Sequence, residues 1–300
     1  MSTKPLVSII MNCYNGEQFL KVALNSLINQ TYKNWELIFW DNKSQDNSIN
    51  IFKSYNDARF KLYKSEEHTI LYESRNKAIQ KTSGELIAFL DTDDYWMPEK
   101  LEKQVELFKD DKVALVYGNF WVLNENSYFK KRLFTSKKLP TGFILKSILS
   151  NYTVGLLTIM IRKKSLKNLS EVFNIKFDLL ADYDFVIRFS VDNKFECVQE
   201  PLACYRVHKK NTSLLQNKKQ IEQLKAWYEL IKSDSFFSSQ KEIYEIDKKI
   251  KYMESLHLIL EKNFFKGFYE TFKFPMGINK IKLFLALFLP KNIFLGLKKF

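Results

Sequence analysis

Residues Leu86-Ile87-Ala88-Phe89-Leu90-Asp91-Thr92-Asp93-Asp94 restrict the fold more than any other stretch of this chain. Five apolar residues in a row predict a strand buried on both faces. Three carboxylates follow where that strand should end. In an open α/β sheet, ligands bind outside the carboxyl ends of strands. Carboxylates this close repel one another unless a cation sits among them. Hard oxygen donors at a strand end suit Mg²⁺ or Mn²⁺ bridged to a phosphorylated substrate. The competing reading is a polar turn in which Asp94 caps a helix opening at Met97-Pro98-Glu99-Lys100.

The surrounding pattern supports a sheet. Leu6 to Met11 is β-rich and ends in the turn Asn12-Cys13-Tyr14-Asn15-Gly16. From Glu17 to Gln30 the residues Phe19, Leu20, Ala23, Leu24, Leu27 and Ile28 recur at helical spacing. Trp35 to Trp40 predicts a second strand, ending in Asp41-Asn42-Lys43-Ser44-Gln45-Asp46, and Asn47 to Tyr55 a short helix. Phe60 to Tyr63 predicts a third strand and Glu73 to Lys81 a helix, with Gly84 turning the chain into the central strand. Strand and helix alternating in this way mark a parallel, doubly wound sheet. Beyond the acidic turn, a helix is expected over 98–109 and strands over 113–117, 158–161, 195–198 and 203–208. Residues 124–140 are expected as a loop or an antiparallel excursion. A helix is expected to open at Phe177, with Asp182 and Asp184 near its start, where the dipole favours anions.

No G-x-G-x-x-G follows the first strand, and no G-x-x-x-x-G-K-[ST] occurs. Dinucleotide oxidoreductases and P-loop NTPases are therefore disfavoured. A nucleotide would be held by polar strand tips instead: Asn12 to Asn15, Asp41 to Ser44 and Asp91 to Asp94, with Tyr14 placed to stack on a base. The formal charge of +13 points to an anionic partner, although a genome rich in Lys, Asn and Phe codons gives the same balance. Cys13, Cys197 and Cys204 have no CxxC spacing, which fits a reducing, cytosolic setting. The opening MSTKPLVSII lacks the layout of a secretory leader, and the apolar run Leu283 to Leu289 is too short to span a bilayer.

Six elements in order resemble the family 2 glycosyltransferases of GT-A fold, particularly bacterial enzymes that build surface polysaccharides. Val7 to Asn15 is similar to the family's opening strand, without its usual proline. Trp40-Asp41-Asn42-Lys43-Ser44-Gln45-Asp46-Asn47-Ser48 is similar to its D-N-x-S-x-D-x-S element. Ser74-Arg75-Asn76 resembles A-R-N, and Asp91-Thr92-Asp93-Asp94 with Trp96, Pro98 and Leu101 resembles D-x-D-D and the helix after it. Leu180-Ala181-Asp182-Tyr183-Asp184-Phe185 resembles E-D-Y-D-L, with Ala181 in place of Glu. Tyr205-Arg206-Val207-His208 resembles Y-R-x-H. The match covers roughly residues 6 to 215.

The resemblance implies a Rossmann-like GT-A fold: a mostly parallel central sheet flanked by helices, with a C-terminal helical extension. It implies a catalytic domain over 1–215, a nucleotide-sugar donor, Mn²⁺ or Mg²⁺, and inversion at the anomeric carbon. UDP is the expected nucleotide, and a saccharide or polyprenyl-linked saccharide the expected acceptor. Asp93, Asp91 and His208 are the expected metal ligands, with Asp91 binding ribose or metal. Asp182 is the expected base, and Asp184 its nearest rival. Asp41 or Asn42 reads the nucleobase, with Asn12, Tyr14 and Thr92 in the same pocket. Arg75, Arg206 and His208 are expected to support the diphosphate or the metal.

In residues 216–300, helices are expected over 221–232 and 243–261, with Ile243, Ile246, Ile250, Met253 and Leu260 on one face of the second. The tail from Lys262 mixes Phe and Leu with Lys and almost no acid. Its segments Lys280 to Pro290 and Ile293 to Phe300 are expected to lie on an anionic leaflet as a peripheral contact, or else to cap the protein. The expected place of the protein is the cytoplasm, on the inner face of the cell membrane. Three other readings compete. A haloacid-dehalogenase-like phosphatase needs Thr or Val where Tyr95 stands. A basic RNA-binding protein has no motif here, so no nucleic acid is expected as a partner. A transferase-like inactive scaffold conflicts with every candidate position being filled.

Overall fold

The computed structural model describes residues 4–125, 131–167, 169, 171–209, 211, 217–261 and 263–289. The chain forms two compact units, residues 1–211 and 212–300.

In the first unit the strands are β1 (Val7–Cys13), β2 (Trp35–Asp41), β3 (Phe60–Lys64), β4 (Leu86–Phe89), β5 (Tyr95–Trp96), β6 (Val113–Asn124), β7 (Lys131–Leu133), β8 (Met160–Arg162) and β9 (Lys194–Val207). They form one sheet in the order β3-β2-β1-β4-β8-β6-β9-β5, with β7 beside β6. β3, β2, β1 and β4 run parallel. The chain builds outward from β1 through β2 to β3, then crosses to the other side of β1 for β4. The order therefore reverses beside β1, and the crevice at such a reversal is where open α/β sheets hold ligands. β1, β2 and β4 are buried along their whole length, which is why they read as continuous apolar runs rather than alternating ones. Helix α1 (Glu17–Ile28) buries Leu20, Ala23, Leu24 and Leu27, one turn apart. The other helices of this unit are α2 (Ser48–Lys53), α3 (Leu71–Ile79), α4 (Lys100–Leu107), α5 (Leu145–Ser150) and α6 (Ala181–Phe189).

Beyond β4 the sheet turns mixed: β8 runs antiparallel to β4 and β6, and β6 runs parallel to β9. The two short strands expected over 195–198 and 203–208 are one strand. Its register against β6 jumps from Gly118–Val198 to Asn119–Pro201, so Gln199 and Glu200 bulge out and Pro201 is tolerated there. Thr158 belongs to a 3₁₀ turn rather than to the strand expected at 158. The excursion at 124–140 is antiparallel, with residues 126–130 outside the described set. Helix α6 starts at Ala181, four residues later than expected. Asp94 caps no helix. It is buried beneath the backbone N–H of Arg206, and α4 starts at Lys100 without a side-chain cap.

At the opposite, amino edge, Glu36 forms a buried knot. Its carboxylate accepts from Ser8 Oγ, from Ser83 N–H and Oγ, and from Lys61 Nζ. Gly84 donates to Ser8 Oγ, and a Cβ there would stand 2.5 Å from the Leu6 carbonyl. Only glycine lets the chain enter β4 this close to β1.

The second unit is helical: α7 (Asn217–Lys232), α8 (Ser235–Ser238), α9 (Ile243–Leu260), α10 (Phe264–Lys273) and α11 (Ile278–Phe288). α9 buries Ile243, Ile246, Ile250, Leu256 and Ile259, with Leu260 partly buried against the same core. Leu256 and Ile259 pack with Phe274, Leu283, Ala286 and Leu287 in a small separate core. The segment expected at 293–300 lies outside the described residues. Among the described residues no helix is long and apolar enough to cross a membrane.

Glu36 yields a stability prediction. Burial pushes its carboxyl up, but the hydrogen bonds from Lys61, Ser8 and Ser83 outweigh burial and hold it at about 2, below its ordinary 4.5. A depressed carboxyl stabilises the fold above its unfolded pKa and loses that contribution as pH falls through the folded one. Glu36→Gln is expected to cost on the order of 2 kcal/mol at pH 7 in urea unfolding, with the gap to wild type closing between pH 4.5 and 2. A gap that stays constant across that range would show that charge is not the cause.

Candidate active site

The carboxyl ends of β1 and β2 make one wall. Asn15 and Lys43 adopt left-handed φ values of 53° and 69°, which bend the two loops toward each other. Ser44 Oγ accepts from the Asn15 N–H, and Asn15 Oδ1 accepts from the Gln45 N–H. Gly16 brings this wall against the acidic turn, since a Cβ there would stand 2.8 Å from Thr92 Oγ1. Inside the wall, both side-chain amide atoms of Asn12 are buried without a partner among the described residues. An unmade buried hydrogen bond costs about 1–3 kcal/mol, so such an amide is kept where a ligand completes it.

Sequence left Asp41 and Asn42 as alternatives for the nucleobase contact, and their side chains have different surroundings. The Asn42 amide is spent on the β3–α3 loop: Nδ2 donates to the Thr69 carbonyl, and Oδ1 accepts from the Thr69 N–H. Among the described residues the Asp41 carboxylate accepts only two long bonds, 3.3 and 3.4 Å, from the Ser44 N–H. Tyr14 is half-exposed, with its ring 4.1 Å from that of His68, whose Nδ1 meets the Asn42 carbonyl. Together Tyr14 and His68 form an aromatic ledge beside Asp41. Sequence reasoning missed His68, and nothing in its local pattern signals it.

The acidic turn draws in three distant elements. Asp91 pairs with Arg75 of α3, whose guanidinium is buried. Asp93 Oδ2 lies 3.0 Å from His208 Nε2, and Asn211 Nδ2 donates to it at 3.4 Å. Asp94 accepts the Arg206 N–H at 2.8 Å. The Arg206 guanidinium donates to the Asp93 carbonyl and to Glu125, and lies over the Phe19 ring at 4.5 Å. The His208 ring also rests on Phe19, so α1 carries both residues of the Y-R-x-H element.

Of the two roles expected for Arg75 and Arg206, support of the diphosphate or of the metal site, the contacts observed are with the acidic turn: both guanidinium groups are buried and bonded there. Burial, and then the neighbouring Asp91, raise the Asp93 carboxyl above its ordinary range. That crowding is what a divalent cation relieves. Two carboxylates and one imidazole are donors that suit Mn²⁺ or Mg²⁺. The side chains are not gathered into a finished cage: among the described residues no three metal-type side chains converge, and Asp91 is turned to Arg75.

Asp182 stands in the first turn of α6. The Tyr183 N–H donates to its Oδ1 at 2.9 Å, and the Tyr72 hydroxyl hydrogen-bonds its carboxylate. Burial raises its carboxyl above the ordinary value, against the opposing pull of Arg75 and Tyr72. Arg75 thus influences both Asp91 and Asp182. Tyr72 was missed by sequence reasoning, although it stands three residues before Arg75 on a helix and so shares its face. Asp184 is buried and takes two bonds from Arg188, at 2.7 and 2.8 Å. Glu125 and Asn211 were also missed.

A Rossmann-like sheet with an acidic strand tip, an aromatic ledge and a separate partly desolvated carboxylate defines the nucleotide-sugar transferases of GT-A type. Residues 8–169 match the profile described as Glycosyl transferase family 2, and the chain belongs to that family as an inverting, nucleotide-sugar-dependent glycosyltransferase. It is 32% identical over 213 residues to the Escherichia coli UDP-Glc:alpha-D-GlcNAc-diphosphoundecaprenol beta-1,3-glucosyltransferase WfgD, covering 71% of this chain and 81% of that protein. Staphylococcus aureus TarS 1–349 in complex with UDP-GlcNAc has a similar fold, with TM-score 0.64 at 17% identity, covering 93% of this chain and 86% of that one. So does the Pyrobaculum calidifontis mannosyltransferase PcManGT in complex with GDP-Man and Mn²⁺, with TM-score 0.64 at 14% identity, covering 99% and 84%.

The contrast between the two α6 carboxylates is testable. Asp182→Asn is expected to lower sugar transfer by roughly 10²- to 10⁴-fold with donor affinity kept. Asp184→Asn is expected to act on stability, because it strands Arg188, at a cost on the order of 3 kcal/mol. Transfer rate, donor affinity and melting temperature measured on both variants decide it. Near-normal transfer by Asp182→Asn would move the base elsewhere.

Proposed function

We propose that this enzyme moves a sugar from a UDP-sugar to a saccharide carried on a lipid diphosphate, in the building of a surface polysaccharide. The observation that carries the reading is the buried Asn12 amide without partners, beside Asp41 and the Tyr14–His68 ledge. WfgD, whose name gives a UDP-sugar donor and a diphosphoundecaprenol-linked acceptor, supports the choice of both substrates. Asp41 accepts from the base edge, Tyr14 covers the base, and Asn12 and Thr92 complete the pocket. Asp93 and His208, with Asp91, would hold a divalent cation, which would supply charge neutralisation for the leaving diphosphate. Residues 1–215 are the catalytic domain in this reading.

Asp182 takes the proton of the acceptor hydroxyl as that oxygen attacks the anomeric carbon. Attack comes from the face opposite the nucleotide, so configuration inverts. Burial of Asp182 raises its proton affinity toward that task. Arg75 fixes Asp91 and limits the rise at Asp182.

The helical unit suits a lipid-borne acceptor. α10 is inside-out: Gly267 and Thr271 face inward, with the Gly267 Cβ position 2.8 Å from Ile259. Its aromatic stripe Phe264, Phe265, Phe268, Tyr269 and Phe272 is exposed, Phe265 at 94%. Met276, Ile278, Ile281 and Phe288 extend the apolar surface, with Lys266, Lys273, Lys280 and Lys282 among them. An aromatic face flanked by lysines fits the interface of an anionic bilayer, and we assign it as a peripheral contact on the cytoplasmic leaflet.

Two experiments test this reading. UDP titrated by calorimetry is expected to bind at least ten-fold more weakly in EDTA than with Mn²⁺, and equal affinity would remove the cation. Phe265→Ser with Phe272→Ser is expected to abolish sedimentation with phosphatidylglycerol vesicles at low salt while leaving the melting temperature unchanged. Truncation near Glu261 is a poorer test, because it removes four of the six buried residues of the small core around Ile259. Wild-type protein that ignores the vesicles would make the stripe a protein-facing surface.

A further inference from the structure

α5 ends at Asn151, whose extended backbone (φ −151°, ψ 103°) leads the chain away from the helix. The next residue, Tyr152, lays its ring on Tyr183, with centroids 4.6 Å apart and planes tilted by 54°. Tyr183 is the residue whose N–H holds Asp182. Tyr152 therefore packs on the turn that presents the proposed base. Its hydroxyl has no accessible surface and no partner among the described residues. A phenylalanine would supply the same packing without the unmet hydrogen bond. The hydroxyl is thus a cost to the free enzyme that only a further partner offsets.

Its surroundings indicate which partner. Burial, then the charge of Asp182 and the rings of Tyr183 and Tyr72, hold the Tyr152 phenol well above its ordinary value, so it remains a donor at neutral pH. The Tyr72 hydroxyl, also near Asp182, is already spent on that carboxylate. Tyr152 keeps a donor and two lone pairs, and the residue is partly exposed away from its hydroxyl, so a saccharide approaching there reaches the hydroxyl by shifting the atoms that cover it. Saccharides carry hydroxyls on adjacent carbons. When one meets a base, its neighbour falls beside it.

We propose that Tyr152 is a specificity-determining residue, whose hydroxyl binds the acceptor hydroxyl adjacent to the one that Asp182 deprotonates and so helps fix which position is glycosylated. This rests on the assignment of Asp182 as base and deepens it on the acceptor side.

Tyr152→Phe tests it, since the ring and its packing on Tyr183 stay. Transfer is measured to a synthetic α-GlcNAc diphospholipid, from whichever of UDP-glucose and UDP-GlcNAc supports turnover, together with donor hydrolysis in the absence of acceptor. The acceptor KM is expected to rise roughly ten-fold, as for one lost hydrogen bond, with donor KM and donor hydrolysis unchanged and the melting temperature raised, because the unmet buried hydroxyl is gone. Among acceptors lacking single hydroxyls, one should be poor for wild type yet cost Tyr152→Phe nothing further. An unchanged acceptor KM overturns the proposal, and so does a loss confined to donor KM or to melting temperature. If Asp182→Asn also transfers normally, the assignment of the base falls with it. If Asp182→Asn is impaired and Tyr152→Phe is not, only the role of Tyr152 falls.

Discussion

Three carboxylates within four residues at the end of a buried strand set the terms for the first unit. Asp91, Asp93 and Asp94 cannot all be ionised there without compensation. The fold brings cations or donors from α3 (Arg75), from the end of β9 (Arg206 and His208) and from just beyond it (Asn211). Burying a charge is costly unless it is paired and hydrogen-bonded. The positions of α3 and β9 and the seating of α1 beneath Arg206 and His208 are therefore coupled to the acidic turn. Compensation is incomplete at Asp93, where burial and Asp91 still raise the carboxyl. A site left short of positive charge in this way is prepared for a cation or the metal complex of a substrate.

The central strands and the strand-end location of the site were legible in the sequence because β1, β2 and β4 are buried on both faces and read as unbroken apolar runs. The motifs gave the chain order of the site residues. Their partners were not legible. An arginine in a motif reads equally as support for a phosphate or for a metal site, and only packing shows what its guanidinium touches: Asp91 for Arg75, Glu125 and the Asp93 carbonyl for Arg206. Asp41 and Asn42 are equivalent in sequence and differ only in that Thr69, 27 residues on, takes up the amide. The β9 strand was read as two pieces because Gln199-Glu200-Pro201 interrupts its apolar pattern, and a bulge absorbs that interruption. The late start of α6 has the same origin: Phe177, Leu179 and Leu180 look helical by period, but periodicity does not report where the first helical hydrogen bond forms.

The helical unit shows the limit of periodicity in another way. A strongly amphipathic helix is ordinarily read with its apolar stripe inward. α10 reverses this, because Gly267 and Thr271 allow a close approach to α9 and leave no room for the aromatic side, which faces out. Sequence identifies the two faces; only packing says which is covered.

The two carboxylates of α6 show how environment assigns roles within one turn. Asp182 and Asp184 share a helix and a chemistry, although Asp184 is buried and Asp182 keeps part of its surface. Asp184 is neutralised by Arg188, one turn along the same helix, which makes two contacts to its Oδ2. Asp182 meets a phenol and a backbone N–H, with the nearest guanidinium already claimed by Asp91, so desolvation outweighs charge pairing and its proton affinity rises. A carboxylate held weakly by neutral donors can exchange one of them for a substrate hydroxyl, whereas one locked to an arginine cannot. Pairs of titratable groups whose surroundings treat them differently are the usual mark of acid–base work. Here the asymmetry comes from one choice made by the fold: Arg75 faces the acidic turn, and Asp182 is left in need of a partner.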